Sequence, residues 1–172
     1  MGTLYLVQNV AVPTGNPNLG QLTSASLYTQ LQVQATSGNP PIRVVEWGVS
    51  FNGSALAAGF PCDLVDTFAI AATVTSFGTN DVMVFNPDTP AQSGTSGPPL
   101  SCSTTASGFL SSAEGTITSI RVFDSQVVEP IGGYYKQFPL GREPLLTTNH
   151  NLRVRVRGDG TTRCVAYVIF EV

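Results

Sequence analysis

The chain has 172 residues, of which 42% are hydrophobic and only 11% are charged, and its formal net charge is −3. This composition excludes a coiled coil, which is rich in charged helix formers, and a disordered chain, which combines high net charge with few apolar residues. The acidic balance also argues against nucleic-acid binding, which usually needs a basic excess. No stretch approaches the roughly 20 apolar residues of a membrane helix.

Alternation of apolar and polar residues with a period of two predicts β-strands along the whole chain. The runs lie at residues 4–12, 27–35, 42–51, 64–75, 82–85, 116–123, 126–129, 152–156 and 164–171. In the second run, Tyr28, Gln30, Gln32 and Gln34 form the expected polar face. No helix longer than one turn, at residues 54–59, is predicted.

Eight or nine strands without helices predict two packed antiparallel sheets or a closed barrel. We expect an all-β, two-sheet antiparallel sandwich of jelly-roll type, although an immunoglobulin-like sandwich has a similar sequence pattern. Residues 1–172 are expected to form a single domain. The first 12 residues contain no Lys or Arg, so a secretory signal is not expected.

Two segments interrupt the strand pattern, an uncharged one at residues 13–26 and a longer one of low complexity at residues 86–113. The second is rich in Ser, Thr, Gly and Pro and predicts a long loop. Loops of more than about 12–15 residues in a compact domain are usually functional or mobile. Both interpretations stay open: a segment that crosses to a neighbouring subunit, or a mobile loop.

The residue types that carry catalysis are few. His150, the one histidine, lies in a turn-like TTNHN segment and is expected to be a loop residue in solvent rather than half of a Cys–His pair. Cys62, Cys102 and Cys164 are too widely spaced for a zinc site. We expect all three thiols to be reduced, and at least two of them to be buried.

Two aspartates near one strand are the candidates for an acid–base pair. Asp63 and Asp66 are three residues apart, so on a strand their side chains point to opposite faces. The chain also lacks a Walker loop and a G-x-G-x-x-G motif. The sequence therefore predicts no catalytic site, no metal site and no cofactor, and the protein is not expected to be an enzyme.

Arg153, Arg155 and Arg157 form the most distinctive charged pattern, because they alternate with apolar residues on one predicted strand. Their side chains would follow one face at intervals of about 6.6–6.8 Å. Either they pair locally on an outward face, or they meet a partner across a subunit contact. In the second case Arg155→Glu should weaken assembly more than folding. The intrachain candidates for pairing are Glu114, Glu129, Asp159 and Glu171.

Arg157-Gly158-Asp159 matches the tripeptide of integrin ligands. A three-residue match has little specificity. Gly158, Asp159 and Gly160 together are typical of a hairpin turn, because glycine readily adopts the positive φ angles that such turns require. We therefore interpret the tripeptide as a turn.

Aromatic residues suggest one further class of binding site. Tyr134 and Tyr135, together with Trp47, could form a platform for sugars. Trp47 lies in an apolar strand and is expected in the core or at an interface. If residues 134 and 135 lie on a strand, one of the two tyrosines must face outward.

Four stretches carry a resemblance to a known group of proteins: EWGVSF at 46–51, AEGTIT at 113–118, KQFPLGREP at 136–144, and the run that begins with LRVRV at 152–156 and ends with FE at 170–171. Together they resemble small virion structural proteins of tailed bacteriophages, of the capsid decoration (cement) type. The resemblance covers most of the chain from Arg43 onward. It is a resemblance of pattern and includes no catalytic motif.

The resemblance implies a β-sandwich on the outer capsid surface of the virion, assembled in the host cytoplasm. Its implied partners are the major capsid protein and other copies of itself, commonly in a homotrimer, with no nucleic acid and no membrane. Two alternatives stay open. One is a tail, baseplate or fibre component, and the other is a carbohydrate- or receptor-binding sandwich.

Residues 136–144 are the leading interface candidate. Two prolines stiffen this segment, which lowers the ordering cost of binding, and Arg142 offers a bidentate donor. Alternatively, Arg142 and Glu143 simply end a loop. The complete set of expected interface residues is Tyr134, Tyr135, Arg142, Glu143, Arg153, Arg155 and Arg157.

Overall fold

The computed structural model describes residues 2–11, 18–35, 41–54, 58–84, 100, 104 and 106–172. Within these ranges there are thirteen strands and one 3₁₀ turn, at Thr79–Asp81. In chain order the strands are β1 (Leu4–Gln8), β2 (Gln21–Leu22), β3 (Tyr28–Gln34), β4 (Ile42–Phe51), β5 (Phe60–Asp66), β6 (Thr73–Ser76), β7 (Met83–Val84), β8 (Gly108–Ala113), β9 (Arg121–Val128), β10 (Gly133–Gln137), β11 (Leu145–Leu146), β12 (Asn151–Val156) and β13 (Arg163–Glu171).

The strands form two antiparallel sheets packed as a sandwich, which confirms the predicted fold class. The seven-stranded sheet has the order β10-β4-β13-β1-β7, with β11 beside β4 and β2 beside β13. The six-stranded sheet has the order β6-β8-β3-β12-β5-β9. Several of the thirteen strands are only two residues long, which is why the count exceeds the eight or nine predicted.

Eight of the strands carry the jelly-roll connectivity. They are β1, β3, β4, β5, β9, β10, β12 and β13, and the chain changes sheet at each step except from β5 to β9. One sheet contains β1-β13-β4-β10 and the other β3-β12-β5-β9, so the first strand lies beside the last. This order of two interlocked Greek keys is that of a jelly roll, and it distinguishes the fold from an immunoglobulin-like sandwich.

Alternating side chains from both sheets fill one apolar core. Leu152, Val154 and Val156 of β12 are buried there, as their spacing predicts. Opposite them, β13 contributes every second residue from Cys164 to Phe170 to the core. Each fully buried Val, Leu or Phe contributes about 1.5–3 kcal/mol relative to an exposed one, so this periodicity dominates the fold.

Two of the predicted strand boundaries are wrong. The run at 64–75 is two strands, β5 and β6, because the chain turns after Asp66: Phe68 has φ of 54° and the Ile70 amide donates to the Thr67 carbonyl. Conversely, the runs predicted at 116–123 and 126–129 contribute to one strand, β9, which begins only at Arg121 and ends at Val128. Asp124 and Ser125 continue the antiparallel register against β5 instead of forming a turn.

The second predicted loop also contains regular structure. Its last six residues form β8, which lies between β3 and β6. At Gly108 an added Cβ would collide with the Thr75 carbonyl oxygen, so glycine permits this close approach of two strands. The residues of that segment before 106, except Leu100 and Thr104, lie outside the described residues, as do 12–17 and 55–57.

A shift of register reverses part of the predicted polar face of β3. The pairing with β12 is irregular between Val154 and Arg155. The Gln30 side chain accepts a hydrogen bond from Asn9, which itself bonds to β13 of the other sheet, so Gln30 lies between the sheets. Thr29 instead bonds to Glu114 on the outer side. The bulge therefore exchanges the two faces at this end of the strand.

Candidate functional site

The three arginines of β12 have three different environments. Arg153 is fully buried, Arg155 is 9% exposed and Arg157 is exposed. The strand lies between β3 and β5, so side chains on its outer face are flanked by neighbours on both sides. The arginines therefore do not form an open row of charges.

Arg153 joins two loops on the outer face of the six-stranded sheet. Its Nη1 donates to the carbonyl oxygen of Glu114 at 3.0 Å and to the Glu114 carboxylate at 3.3 Å, and its Nη2 donates to the Ile70 carbonyl. Glu114 also accepts from the Thr29 amide and hydroxyl. Burial lowers the pKa of Arg153, and the Glu114 carboxylate opposes that shift. The Arg153 guanidinium therefore binds groups of its own chain rather than those of a partner.

Arg155 makes a bidentate ion pair with Asp63, whose two oxygens lie 2.9 and 2.6 Å from Nε and Nη2. The Arg157 Nε donates to the carbonyl oxygen of Ala25 at 3.1 Å. Of the four candidate partners, Glu114 pairs with an arginine of this strand, and Asp63 was not foreseen. Of these three arginines, Arg157 is therefore the one that is exposed to solvent.

The carboxylate of the Arg157-Gly158-Asp159 tripeptide is directed into its own turn. Asp159 accepts the Thr161 and Thr162 amides at 2.8 and 2.7 Å and the Thr162 hydroxyl at 2.8 Å. These backbone hydrogen bonds lower the pKa of Asp159. This geometry supports the interpretation of the tripeptide as a turn.

The two adjacent tyrosines of β10 face opposite sides, as strand geometry requires. Tyr134 points inward, where its hydroxyl donates to Asp124 at 2.8 Å and its ring meets Trp47 edge-on at 5.6 Å. Tyr135 points outward and is 72% exposed. Trp47 is fully buried, as expected, and its indole N–H donates to the same Asp124 at 3.1 Å.

Asp124 links the two sheets at their shared side. It lies on β9 of one sheet and accepts hydrogen bonds from Trp47 and Tyr134 of the other, while Lys136 adds an ion pair at 3.2 Å. Burial alone would raise the pKa of Asp124, but donors from Tyr134, Gln126 and Lys136 outweigh it and lower the pKa. Burial and the bond to Asp124 raise the pKa of Tyr134 to about 12.

His150 is not the solvent residue that the sequence predicts. Its side chain is 28% exposed, and Nδ1 lies 2.9 Å from Oδ2 of the fully buried Asp66. Arg121 binds the same carboxylate at 3.1 Å, and the imidazole ring packs on Phe68. Within the described ranges, the imidazole makes no hydrogen bond to a serine, threonine or cysteine side chain, while the His150 amide donates to the Thr147 carbonyl at 3.1 Å. The pair holds the turn at 147–150 against the end of β5.

Cys62 and Cys164 are free, buried and contributed by opposite sheets. Burial, with a smaller effect of the Asp63 charge, raises the pKa of Cys62 to about 12. Burial also raises the pKa of Cys164. Both are therefore thiols rather than nucleophilic thiolates at neutral pH, and the expectation of two buried cysteines is confirmed. Cys102 lies outside the described residues.

The segment at 136–144 is fixed at both ends and exposed between them. The Phe138 ring is buried and its amide donates to the Val45 carbonyl, while Pro144 accepts from the Val44 amide. Between them, the Arg142 amide donates to the Pro139 carbonyl at 2.9 Å. Gly141 has φ of 77°, which is typical of the third residue of a type II turn.

This turn presents an apolar side chain. Leu140, at its second position, is 94% exposed. Arg142 is exposed beside it and Glu143 is partly buried. The sequence pointed to the prolines and to the charged pair of this segment but not to Leu140. The exposure of Leu140 on an anchored backbone depends on how the turn packs against β4, which the local sequence does not predict.

Exposed apolar side chains are concentrated in one part of the described chain. Seven of the ten large ones lie between Ile120 and Leu145. These residues form β9, β10, β11 and their connections, and β9 and β10 are the edge strands on the same side of the sandwich, where Asp124 links them. The seven are Ile120, Val122, Val127, Ile131, Tyr135, Leu140 and Leu145.

The outer face of the seven-stranded sheet contains a site that the sequence pattern did not indicate. Gly48 of β4 pairs with Tyr135 of β10 on one side and with Tyr167 of β13 on the other. A Cβ at Gly48 would lie 2.5 Å from the Tyr167 ring, so this ring lies across the glycine. The Tyr167 hydroxyl donates to Glu46 at 2.6 Å.

Two open recesses lie in the surface of the described residues. An open recess of about 380 Å³ lies beside Phe60, Arg157 and Asp159, and another of about 300 Å³ lies beside Arg43 and Glu171. Neither is lined by a histidine, cysteine or serine. No group of three or more potential metal ligands occurs among the residues that the structure describes. In the same ranges, no helix has the length and apolarity to cross a membrane.

Comparisons of this chain with models of known protein families, with curated proteins and with solved structures give no match.

Proposed function

We propose that this chain is a non-catalytic virion structural protein of a tailed bacteriophage that binds and stabilises the assembled capsid shell. The observation that carries the proposal is the concentration of exposed apolar side chains between Ile120 and Leu145. An accumulation of exposed apolar side chains is typical of protein-interaction sites, and Leu140 is the most exposed of the seven. The resemblance of the sequence to capsid decoration proteins suggests which partner covers it.

The turn at 139–142 supports this proposal because it suits a rigid docking element. Its backbone is anchored on β4 at both ends, and Leu140 extends from it into solvent. Binding through a preorganised turn avoids the entropic cost of ordering a loop. Arg142, which is exposed beside Leu140, belongs to a residue type that is enriched in interface hot spots.

We propose the major capsid protein as the partner of this side and a homotrimer as the bound form. The fold is compatible with this assignment, since jelly rolls occur in viral capsid proteins, but the same fold has many other functions. The assignment therefore depends on the surface and on the sequence resemblance rather than on the architecture.

The decisive experiment is to count copies of this chain in purified virions by quantitative mass spectrometry. The major capsid protein and a known tail protein serve as internal references. A ratio within a few-fold of the capsid protein is the expected result. A handful of copies per particle would instead indicate a tail component, and absence from the particle would contradict both virion assignments.

A further inference from the structure

Two tyrosines form an aromatic surface on the outer face of the seven-stranded sheet. Tyr135 and Tyr167 belong to β10 and β13, which flank Gly48 of β4. Neighbouring strands are about 4.7–4.9 Å apart, so the two side chains arise about 9–10 Å from each other. Because the Tyr167 ring leans across Gly48 toward β10, the two aromatic groups approach more closely than their backbones do.

Polar groups border this aromatic surface on one side. Glu46 accepts the Tyr167 hydroxyl through Oε1, and no other hydrogen bond to this carboxylate comes from the described part of the chain. Gln137 is exposed and lies directly opposite Glu46 in the β10–β4 register. A carboxylate acceptor and an amide with both donor and acceptor groups therefore stand beside the rings.

From this arrangement we propose that the face formed by Tyr135, Gly48 and Tyr167 binds an uncharged oligosaccharide. The C–H faces of a sugar ring pack on aromatic rings, while its hydroxyls need donors and acceptors at the border. The glycine matters because any side chain at that position would push the Tyr167 ring away from the sheet. The site extends over three strands, so it suits a chain of sugars rather than a single ring.

The charge of the groups that border the two tyrosines favours neutral saccharides over acidic ones. The ionisable side chain that touches the aromatic surface is the carboxylate of Glu46, whereas Lys136 of β10 points inward to Asp124. An acidic sugar would place a like charge beside Glu46, while the exposed cations of the same strands, Arg43 and Arg163, lie three or four residues further along them. Neutral glucans or N-acetylglucosamine oligomers are therefore the expected class.

Isothermal titration calorimetry on the intact chain tests the proposal. The probes are neutral hexasaccharides of glucose and of N-acetylglucosamine, with oligogalacturonate of the same length as the charged comparison. We expect saturable binding of at least one neutral probe and at least tenfold weaker binding of oligogalacturonate. Tyr135→Ala should weaken binding at least tenfold, because that side chain is exposed and its loss leaves the core unchanged.

Tyr134→Phe is the matched control, since the adjacent ring faces the opposite side of the sheet, and its affinity should stay within twofold of the wild type. Leu140→Asp should also bind the sugar normally, which separates this site from the turn at 139–142 that is proposed to dock on the shell. Absence of binding to every neutral probe, or unchanged affinity in Tyr135→Ala, would overturn the proposal. So would self-association in light scattering that Tyr135→Ala abolishes, because a second copy would then occupy this face.

Discussion

Asp124 shows how a single carboxylate determines the environment of several side chains. It accepts hydrogen bonds from an indole, a phenol and an amide, and it pairs with the Lys136 ammonium. These donors come from both sheets, so the carboxylate closes one side of the sandwich. Removing such an acceptor leaves the donors without a partner, which costs more than the net contribution of any one bond.

Asp124→Asn should therefore lower the free energy of unfolding at pH 7 by about 1–3 kcal/mol. The pKa of Asp124 is lowered in the folded state, so its contribution is complete above the ordinary aspartate pKa and is lost as the pH falls through the folded value. Urea unfolding of both proteins between pH 7 and pH 2 measures this. The difference between them should shrink in acid, and a difference independent of pH would contradict the assignment.

Arg155 yields a prediction that differs from the one made from sequence. Its bidentate pair with Asp63 is largely buried, with 10% and 15% of the two side chains exposed. Arg155→Glu places two carboxylates together and should destabilise folding of the isolated chain by about 3–5 kcal/mol. Chemical denaturation checks this.

Two comparisons sharpen the Arg155 experiment. Arg157→Glu, on the same strand but exposed, should change stability by no more than about 0.5 kcal/mol. The exchanged pair Asp63→Arg with Arg155→Asp should recover part of the lost stability. If Arg155→Glu folded as stably as the wild type and lost only assembly, the result would support a contact of Arg155 with another subunit. It would contradict a contribution of the Arg155–Asp63 pair to the stability of the fold.

At the scale of elements, β8 illustrates a strand that depends on its neighbours. Its sequence, GFLSSA, is rich in small residues and lacks β-branched ones, so it does not predict a strand. The segment is a strand because it pairs with β3 and β6. Gly108 lies so close to the Thr75 carbonyl that no Cβ fits between the strands. The glycine that weakens strand propensity is thus the residue that permits the pairing.

Gly108→Ala should destabilise the fold by about 2–3 kcal/mol, at the upper end of ordinary single substitutions, because the collision is with backbone. Gly132→Ala is the control, since an added Cβ there would make only ordinary contacts at 3.5 Å and its φ is not left-handed. Thermal unfolding of the two variants measures the difference. Equal melting temperatures would mean that β8 is not closely paired with β6.

At the scale of the whole molecule, the sandwich distributes its polar and apolar surface unequally. The outer face of the six-stranded sheet carries ion pairs that loops cover, such as Arg153 with Glu114. The side that contains β9, β10 and β11 instead exposes most of the large apolar side chains. This asymmetry suggests that partners approach from that side rather than from the arginines of β12.

Leu140→Asp should reduce binding to purified shells by about thirtyfold or more, the equivalent of a hot spot of about 2 kcal/mol. The side chain is 94% exposed, so folding should be unaffected. Leu19→Asp is the matched control, because Leu19 is 67% exposed but lies beside Ser50 and Phe51, at the opposite end of β4 from the turn at 139–142. Co-sedimentation of each variant with shells lacking the chain measures occupancy, and equal occupancy of the two would contradict the proposed docking side.

The sequence by itself determined the fold class and most of the core. Alternation with a period of two places Leu152, Val154 and Val156 inside, and the run at 42–51 coincides with β4. Such periodicity is a local signal, because burial of one strand face is repeated at every second residue. Opposite orientations for Tyr134 and Tyr135 follow from the same rule.

Only the tertiary structure decided which surface is free. Arg153 and Arg155 have the sequence pattern of an outward row, but partners at Glu114 and Asp63 enclose them. His150 meets Asp66 from 84 residues away, and Tyr167 meets Glu46 from 121 residues away. Sequence periodicity assigns a side chain to a face, whereas strand order and register decide what covers that face, and both arise from contacts distant along the chain.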